Sequence, residues 1–178
     1  MLSPPRMYGM VARELRDTAR PPRGSIEFLS EGALRERLEE EVNRAARHGT
    51  ALSCLLLDLA DLPALRHAHG ELLVERVLAY VELALRRELR RFDRVGRPSE
   101  GELLVVLPGA DLPRGELVAR RMLLRLRSLK LESSGRRRSL GVAVGLAPWR
   151  AGMSAGALLG AARVAAGLER SENGRLPG

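Results

Sequence analysis

The sequence is poor in the residues that build covalent and sulfur-based sites. Cys54 is the only cysteine among 178 residues, so a disulfide within the chain and a cysteine metal site are both excluded. Cys54 lies in the apolar run of residues 51–57, which predicts a buried and unreactive thiol. Aromatic residues make up 3% of the chain, which is little for a surface that stacks many nucleic-acid bases.

Long hydrophobic stretches are also absent. No run of about eighteen apolar residues occurs, and the N-terminal sequence MLSPPRMYGM lacks the apolar centre of a signal peptide. We therefore expect a cytoplasmic protein that does not contact a membrane. The length favours one domain with a substantial core. Proline and glycine cluster at both ends of residues 1–24, which predicts a tail or connector helix there and a domain over residues 25–178.

Positive charge predominates, and arginine carries it. The chain has 30 Lys and Arg against 22 Asp and Glu, a net charge of +8, and Lys130 is its only lysine. The planar fork of arginine matches phosphate groups and guanine edges, so the charge favours a phosphate-bearing partner. Arginine is abundant along the whole sequence, however, so basicity alone is weak evidence for nucleic acid.

Hydrophobic periodicity predicts an α/β domain around one mixed sheet. Helices are expected over residues 8–20, 33–48, 70–91, 111–129 and 154–170, with a short helix capped by Asp61. Strands are expected over residues 51–57, 94–97, 103–107 and 140–146, and a polar loop over residues 132–138.

The most informative segment is the hairpin predicted over residues 94–107. Its turn residues are Pro98-Ser99-Glu100-Gly101, and the motif Arg90-x-x-Asp93 stands just before its first strand. With charge at both ends, this hairpin favours chemistry on phosphates or metal ions.

Four strings resemble the GGDEF domain, the diguanylate cyclase fold, over about residues 24–174. They are RAARHGTALSCLLLDLAD (44–61), RRFDRVGR followed by SEGELLVVLPGADL (90–112), LGVAVGLA (140–147) and ALLGAARVAAGLERSENGR (157–175). The resemblance implies a nucleotidyl cyclase or polymerase-palm type of domain, with a central mixed sheet of about five strands flanked by helices. In that family two domains meet face to face, each holding one GTP, and a metal-assisted attack on the α-phosphate makes cyclic di-GMP.

The resemblance also implies that the catalytic site is degenerate. The family's signature turn falls on Ser99-Glu100-Gly101-Glu102-Leu103, so Ser99 and Glu100 replace the two glycines that approach the nucleotide phosphates. Gly101 replaces an acidic metal ligand, and only Asp58 and Glu102 remain of the acidic set. We therefore expect no enzyme activity, no catalytic residue, no bound metal and no cofactor. Asp58 is then an ordinary carboxylate at a strand end.

The guanine pocket implied by the resemblance is altered as well. Arg66 and Glu75 stand where the family carries the Asn and Asp that read the base, and an arginine excludes the base by its bulk. The early family motif is replaced by RGSIEFLSE over residues 23–31.

A second family site is complete by the same comparison. Five residues separate Asp93 from Ser99, the spacing of the family's product-binding inhibitory site. There the arginine grips phosphate and the Hoogsteen edge of guanine, and the aspartate accepts from its Watson-Crick edge. Two further arginines, often from a neighbouring subunit, correspond to Arg44 and Arg121. The alternative is that Arg90 and Asp93 form only a surface salt bridge.

The leading hypothesis is a catalytically inactive receptor that binds cyclic di-GMP at Arg90, Asp93, Arg44 and Arg121. It would signal to an unidentified protein partner through ligand-dependent self-association, as a homodimer bridged by ligand. The main alternative is a protein-interaction scaffold that kept only the fold. Nucleic-acid binding, which we consider unlikely, and GTP binding without turnover are weaker alternatives.

Overall fold

A computed structural model describes residues 6–8, 28–133 and 136–173. Its helices are α1 (Glu31–His48), α2 (Leu62–His69), α3 (Glu71–Glu88), α4 (Leu112–Arg127) and α5 (Ala155–Asn173). Its strands are β1 (Arg6–Tyr8), β2 (Phe28–Leu29), β3 (Leu52–Asp58), β4 (Arg94–Gly96), β5 (Glu102–Pro108), β6 (Lys130–Ser133), β7 (Arg136–Ser139) and β8 (Ala143–Pro148). Most of the helix predicted over residues 8–20 and the boundary expected between residues 24 and 25 lie outside the described residues, and Tyr8 belongs to a strand.

The main sheet has five strands in the order β2-β4-β5-β3-β8. Strands β2 and β4 run parallel, whereas the other neighbouring pairs are antiparallel, so the predicted mixed sheet is confirmed. Strands β4 and β5 form the predicted hairpin, and β5 lies at the centre of the sheet.

Helices cover both faces of this sheet and divide the core in two. Leu55 and Leu57 of β3 belong to the core beneath α3 and α4, while Cys54 and Leu56 belong to the core beneath α1 and α5. A strand buried on both faces needs apolar residues at every position, which explains the unbroken run in β3. Burial raises the pKa of the Cys54 thiol, as expected for the predicted buried and unreactive cysteine.

Strand β8 lies at the edge of the sheet and packs closely against α5. A Cβ at Gly145 would lie 1.9 Å from the carbonyl oxygen of Ala162, so only glycine allows this approach. The backbone N–H of Val144 donates to the Glu169 carboxylate of α5, which also accepts from Arg127 at 3.4 Å. The Glu169 carboxylate thus links the edge strand β8 to α5 and also contacts α4.

The predicted start of β8 and the predicted end of α3 are wrong. Strand β8 begins at Ala143 rather than at residue 140, because the N–H of Gly141 donates to the Asp61 carboxylate at 2.9 Å instead of to a strand. Asp61 is the N-cap residue of α2, as expected, but its side chain makes no cap hydrogen bond to that helix and accepts from Gly141 instead. Helix α3 ends at Glu88, because Leu89 adopts an extended backbone, so Arg90 and Arg91 follow the helix instead of ending it.

The loop predicted over residues 132–138 is also wrong. Strands β6 and β7 pair there as an antiparallel hairpin, and β1 pairs with β6 to complete a small sheet in the order β1-β6-β7. Antiparallel strands tolerate charged sequence because one face of the sheet can meet water, so the many charges did not exclude a strand. Among the described residues no helix is both long enough and apolar enough to cross a lipid bilayer.

Candidate functional site

The signature turn joins β4 to β5 and is fixed by its backbone. The N–H of Glu102 donates to the carbonyl of Ser99 at 3.2 Å, and Gly101 has a positive φ of 77°, a conformation that favours glycine. The carbonyl of Gly101 accepts from the N–H of Leu59 at 2.8 Å, which fastens the turn to the chain after β3. Gly101, which stands where the family has an acidic ligand, therefore serves the turn through its backbone.

The two carboxylates that the resemblance assigns to the catalytic set, Asp58 and Glu102, lie on neighbouring strands. Asp58 is the register partner of Glu102 across β3 and β5. Both oxygens of Glu102 are already engaged, because Arg163 of α5 donates to them from Nε and Nη2 at 2.7 to 3.2 Å. Ser99 Oγ adds a further hydrogen bond at 2.6 Å.

The charge state of Glu102 follows from these partners. Burial raises the pKa of its carboxyl, but the hydrogen bonds from Arg163 and Ser99 and the charge of Arg163 together outweigh burial, so the net pKa is lowered. Glu102 is thus an ionised carboxylate committed to an internal ion pair.

Arg66 makes a second internal contact with the signature turn. Its guanidinium donates to Glu71 at 2.6 Å and also to Glu100 in the turn. The hydrogen bond from Arg66 to Glu71 and then the one to Glu100 raise the pKa of Arg66. Glu75, the other altered position of the base pocket, lies exposed on α3. The turn is therefore tied to the start of α3 through one arginine.

These residues do not fit the two-metal site that the family's chemistry requires. No group of three or more His, Cys, Asp or Glu side chains within the described ranges could hold a metal ion. The Glu102 carboxylate, which would have to contribute to such a site, forms an ion pair with Arg163 instead. Arg163 was not predicted from the sequence, because 61 residues separate it from Glu102 and nothing in α5 marks it.

The motif Arg90-x-x-Asp93 forms a tight turn between α3 and β4. The carboxylate of Asp93 accepts from the backbone N–H of Arg90 at 2.7 Å, and the N–H of Asp93 donates to the carbonyl of Arg90 at 3.1 Å. Asp93 is only 6% exposed. Burial raises the pKa of its carboxyl, although the hydrogen bond from Arg90 and the charges of Arg90 and Arg94 oppose the rise.

Asp93 therefore fixes the backbone that carries Arg90, and the two side chains do not form the surface salt bridge that was the alternative interpretation. The Arg90 side chain is exposed, and its guanidinium makes no hydrogen bond or ion pair within the part of the chain that the structure describes. It is available to a ligand.

The two additional arginines lie in different places. Arg44 of α1 is 63% exposed and lines a cleft of about 340 Å³ together with Phe92 and Arg94 from the turn region. Arg121 is exposed on α4, which packs on the opposite face of the sheet from α1. Within one chain, Arg44 thus shares a cleft with Phe92 of the Arg90–Asp93 turn, and Arg121 lies on the other face of the sheet. Helix α4 packs there beside α3, the helix before Arg90, and Arg125 of α4 pairs with Glu88 of α3 at 2.7 Å.

Comparison with known proteins identifies the family. The family model described as "Diguanylate cyclase, GGDEF domain" matches residues 28–174. The chain therefore belongs to the GGDEF domain family.

Individual relatives agree with this assignment. Diguanylate cyclase DgcP of Pseudomonas aeruginosa is 34% identical over 90 residues, which are 51% of this chain and 13% of DgcP. The diguanylate cyclase SiaD of the same organism, solved in complex with its activator SiaC, superposes with a TM-score of 0.74 at 26% identity over 92% of this chain and 62% of that chain. The GGDEF domain of Caulobacter crescentus DgcB, solved with cyclic di-GMP, superposes at 0.71 with 18% identity over 87% of this chain and 92% of that chain, which shows the shared fold. This chain thus spans only part of the full-length relatives.

Proposed function

We propose that this domain is a catalytically inactive GGDEF domain that binds cyclic di-GMP at the Arg90–Asp93 turn and signals to a protein partner. The observation that carries the proposal is the exposed guanidinium of Arg90 on a backbone turn that the buried Asp93 carboxylate holds in place. An arginine on a fixed backbone, whose guanidinium makes no hydrogen bond or ion pair among the described residues, suits a phosphate or the Hoogsteen edge of guanine.

The internal ion pairs of the signature turn support the absence of cyclase activity. Phosphoryl transfer depends on metal ions and positioned donors around the reacting phosphate. Here the Glu102 carboxylate is paired with Arg163, and the Glu100 carboxylate is paired with Arg66. A GTP molecule entering this site would have to break both pairs and would still meet the carboxylate of Glu100, which repels phosphate.

The positive charges around the Arg90–Asp93 turn support the proposal that the domain binds cyclic di-GMP. Arg44 and Arg94 line a cleft that adjoins Arg90, so several cations face one region of the surface. The DgcB GGDEF domain, which shares this fold, was solved with cyclic di-GMP. Asp93 keeps one carboxylate oxygen that is not bonded to Arg90, and this oxygen can accept from a guanine edge.

The position of Arg121 supports the proposal that ligand binding leads to self-association. Because Arg44 and Arg121 lie on helices on opposite faces of the sheet, one of these two arginines is best supplied to the ligand by a second copy. Two copies bridged by ligand would form a closed dimer with two-fold symmetry.

Isothermal titration calorimetry with cyclic di-GMP tests the site. We expect binding to the unmodified protein and a loss of about tenfold or more in affinity for Arg90→Ala, since a hydrogen bond to a charged group contributes about 1.5–3 kcal/mol. Arg76→Ala is the matched control, because Arg76 is an exposed arginine near the other end of α3. Absence of heat with the unmodified protein would leave the scaffold alternative, and full affinity in Arg90→Ala would refute the site.

Light scattering after size exclusion tests the output. We expect the molar mass to double when cyclic di-GMP is added. Of Arg44→Ala and Arg121→Ala, the variant that removes the arginine supplied by the second copy should reduce the dimer fraction more than it reduces binding. A mass that is independent of ligand would contradict a ligand-bridged dimer.

A further inference from the structure

The cleft beside the Arg90–Asp93 turn combines an exposed aromatic ring with several charges. It measures about 340 Å³ and lies between α1 and the ends of β3, β4 and β5. Its charged lining consists of Arg37, Glu41, Arg44 and Arg94. This volume lies at the lower end of the range of about 300–1,000 Å³ for small-molecule sites, so the cleft has room for about one nucleotide.

Phe92 is the unusual member of the lining. It is 70% exposed, the largest exposed fraction among the large hydrophobic side chains of the described residues. The other phenylalanine, Phe28, is partly buried, and the guanidinium of Arg86 covers its ring at 5.2 Å. No cation covers the ring of Phe92 within the described part of the chain. A single exposed apolar residue is ordinary on protein surfaces, but this one stands inside the proposed ligand-binding turn.

The cations of the cleft differ in how far they are already engaged. Arg37 pairs with Glu40 at 2.6 Å, and Nη1 of Arg94 donates to the carbonyls of Arg91 and Asp93. Among the described residues, Arg44 has only a long contact of 3.9 Å between its Nε and Glu41, a carboxylate that is 5% exposed. Arg44 and the remaining donors of Arg94 are therefore the groups best placed to take a phosphate beside the Phe92 ring.

We propose that Phe92 is the stacking platform for one purine base of the ligand, with the adjoining phosphate held by Arg44 and Arg94. The proposal rests on the proposed cyclic di-GMP receptor and assigns the ligand one half-site in this cleft. An aromatic face binds a base of any sequence by stacking, and nearby arginines supply the charge that the phosphate needs. The base then covers an apolar ring that otherwise meets water.

The test compares variants of Phe92 by calorimetry with cyclic di-GMP. Phe92→Leu keeps an apolar side chain but removes the planar ring, and we expect its affinity to fall about fivefold to a hundredfold, the range measured for stacking on aromatic residues. Phe92→Trp keeps a planar ring and should bind within a few fold of the unmodified protein. Leu124→Ala is the control, because Leu124 is an exposed hydrophobic residue on α4, outside the cleft.

Each outcome separates this inference from the receptor itself. If the unmodified protein binds and Arg90→Ala does not, while Phe92→Leu binds normally, the stacking role is wrong and the receptor stands. If Phe92→Trp loses as much affinity as Phe92→Leu, a planar ring is not what the site requires, and the inference is also wrong. If the unmodified protein does not bind, both proposals fail. Since Phe92 is largely exposed, thermal unfolding of its variants should match the unmodified protein.

Discussion

The substitution Gly145→Ala tests how closely α5 is held against the sheet. The added Cβ would lie 1.9 Å from the carbonyl oxygen of Ala162 and 2.4 Å from the nitrogen of Ala166. Both are backbone atoms of α5, so no change of side-chain rotamer can relieve the contact. The helix must retreat until the 1.9 Å separation approaches the 3.4 Å at which ordinary contacts begin.

The expected cost follows from this displacement. Overpacking a core costs about 1–3 kcal/mol, and a chain of this size loses about 2–4 °C in Tm per kcal/mol. We therefore expect Gly145→Ala to lower the Tm by about 2–12 °C in a thermal unfolding experiment followed by circular dichroism. Because α5 also carries Arg163, the same displacement should weaken the ion pair with Glu102.

The matched control is a glycine-to-alanine change with the opposite expected effect on α5, the helix against which Gly145 packs. A Cβ at Gly160 meets nothing within 4 Å, and alanine is favoured over glycine inside a helix by about 1 kcal/mol. Gly160→Ala should therefore raise the Tm by a few degrees. An unchanged Tm in Gly145→Ala, or a loss of equal size in Gly160→Ala, would refute the close approach of α5 and β8.

Three further predictions concern the two ends of the hairpin. Asp93→Asn should abolish cyclic di-GMP binding in calorimetry without lowering stability at neutral pH, because burial disfavours the carboxylate; a variant that unfolds at neutral pH would contradict this. Arg163→Ala should destabilise the fold by about 1 kcal/mol or less at neutral pH, since the pair is partly exposed. The pKa of Glu102 is lowered in the folded state, so the ion pair stabilises the fold above the unfolded pKa, and this stabilisation is lost as the pH falls through the folded pKa. In urea unfolding, the free energies of unfolding of Arg163→Ala and of the unmodified protein should therefore converge in acid. With GTP and Mg²⁺, the purified protein should form no cyclic di-GMP by chromatography, and detectable product would overturn the proposed inactivity.

Elements with one dominant signal were predictable from the sequence. The apolar run of β3, the periodic face of α1 and the turn residues of the hairpin each have a local cause, and each element is confirmed. The β6–β7 hairpin was missed because its pairing partner, rather than its own composition, determines the strand.

The site was less predictable because its decisive contacts are long-range. The sequence shows that Gly101 has no side chain to bind a metal, but it does not show that Arg163 reaches Glu102 from α5. It also suggests a salt bridge within Arg90-x-x-Asp93, whereas the carboxylate binds the backbone and leaves the guanidinium exposed. Spacing along the chain identifies which residues are present, and only the three-dimensional arrangement decides which partner each one takes.

The contact between Glu169 and Val144 limits how this domain can assemble. An edge strand with unpaired N–H groups is a template for strand addition by another chain. On β8, the N–H of Val144 already donates to the carboxylate of Glu169 on α5. Arg127 of α4 forms an ion pair with the same carboxylate. A strand arriving at Val144 would have to displace a charged, hydrogen-bonded side chain. Strand addition at this point of β8 is therefore disfavoured, so the ligand-bridged dimer proposed above would form through helices and loops rather than through a continuous sheet.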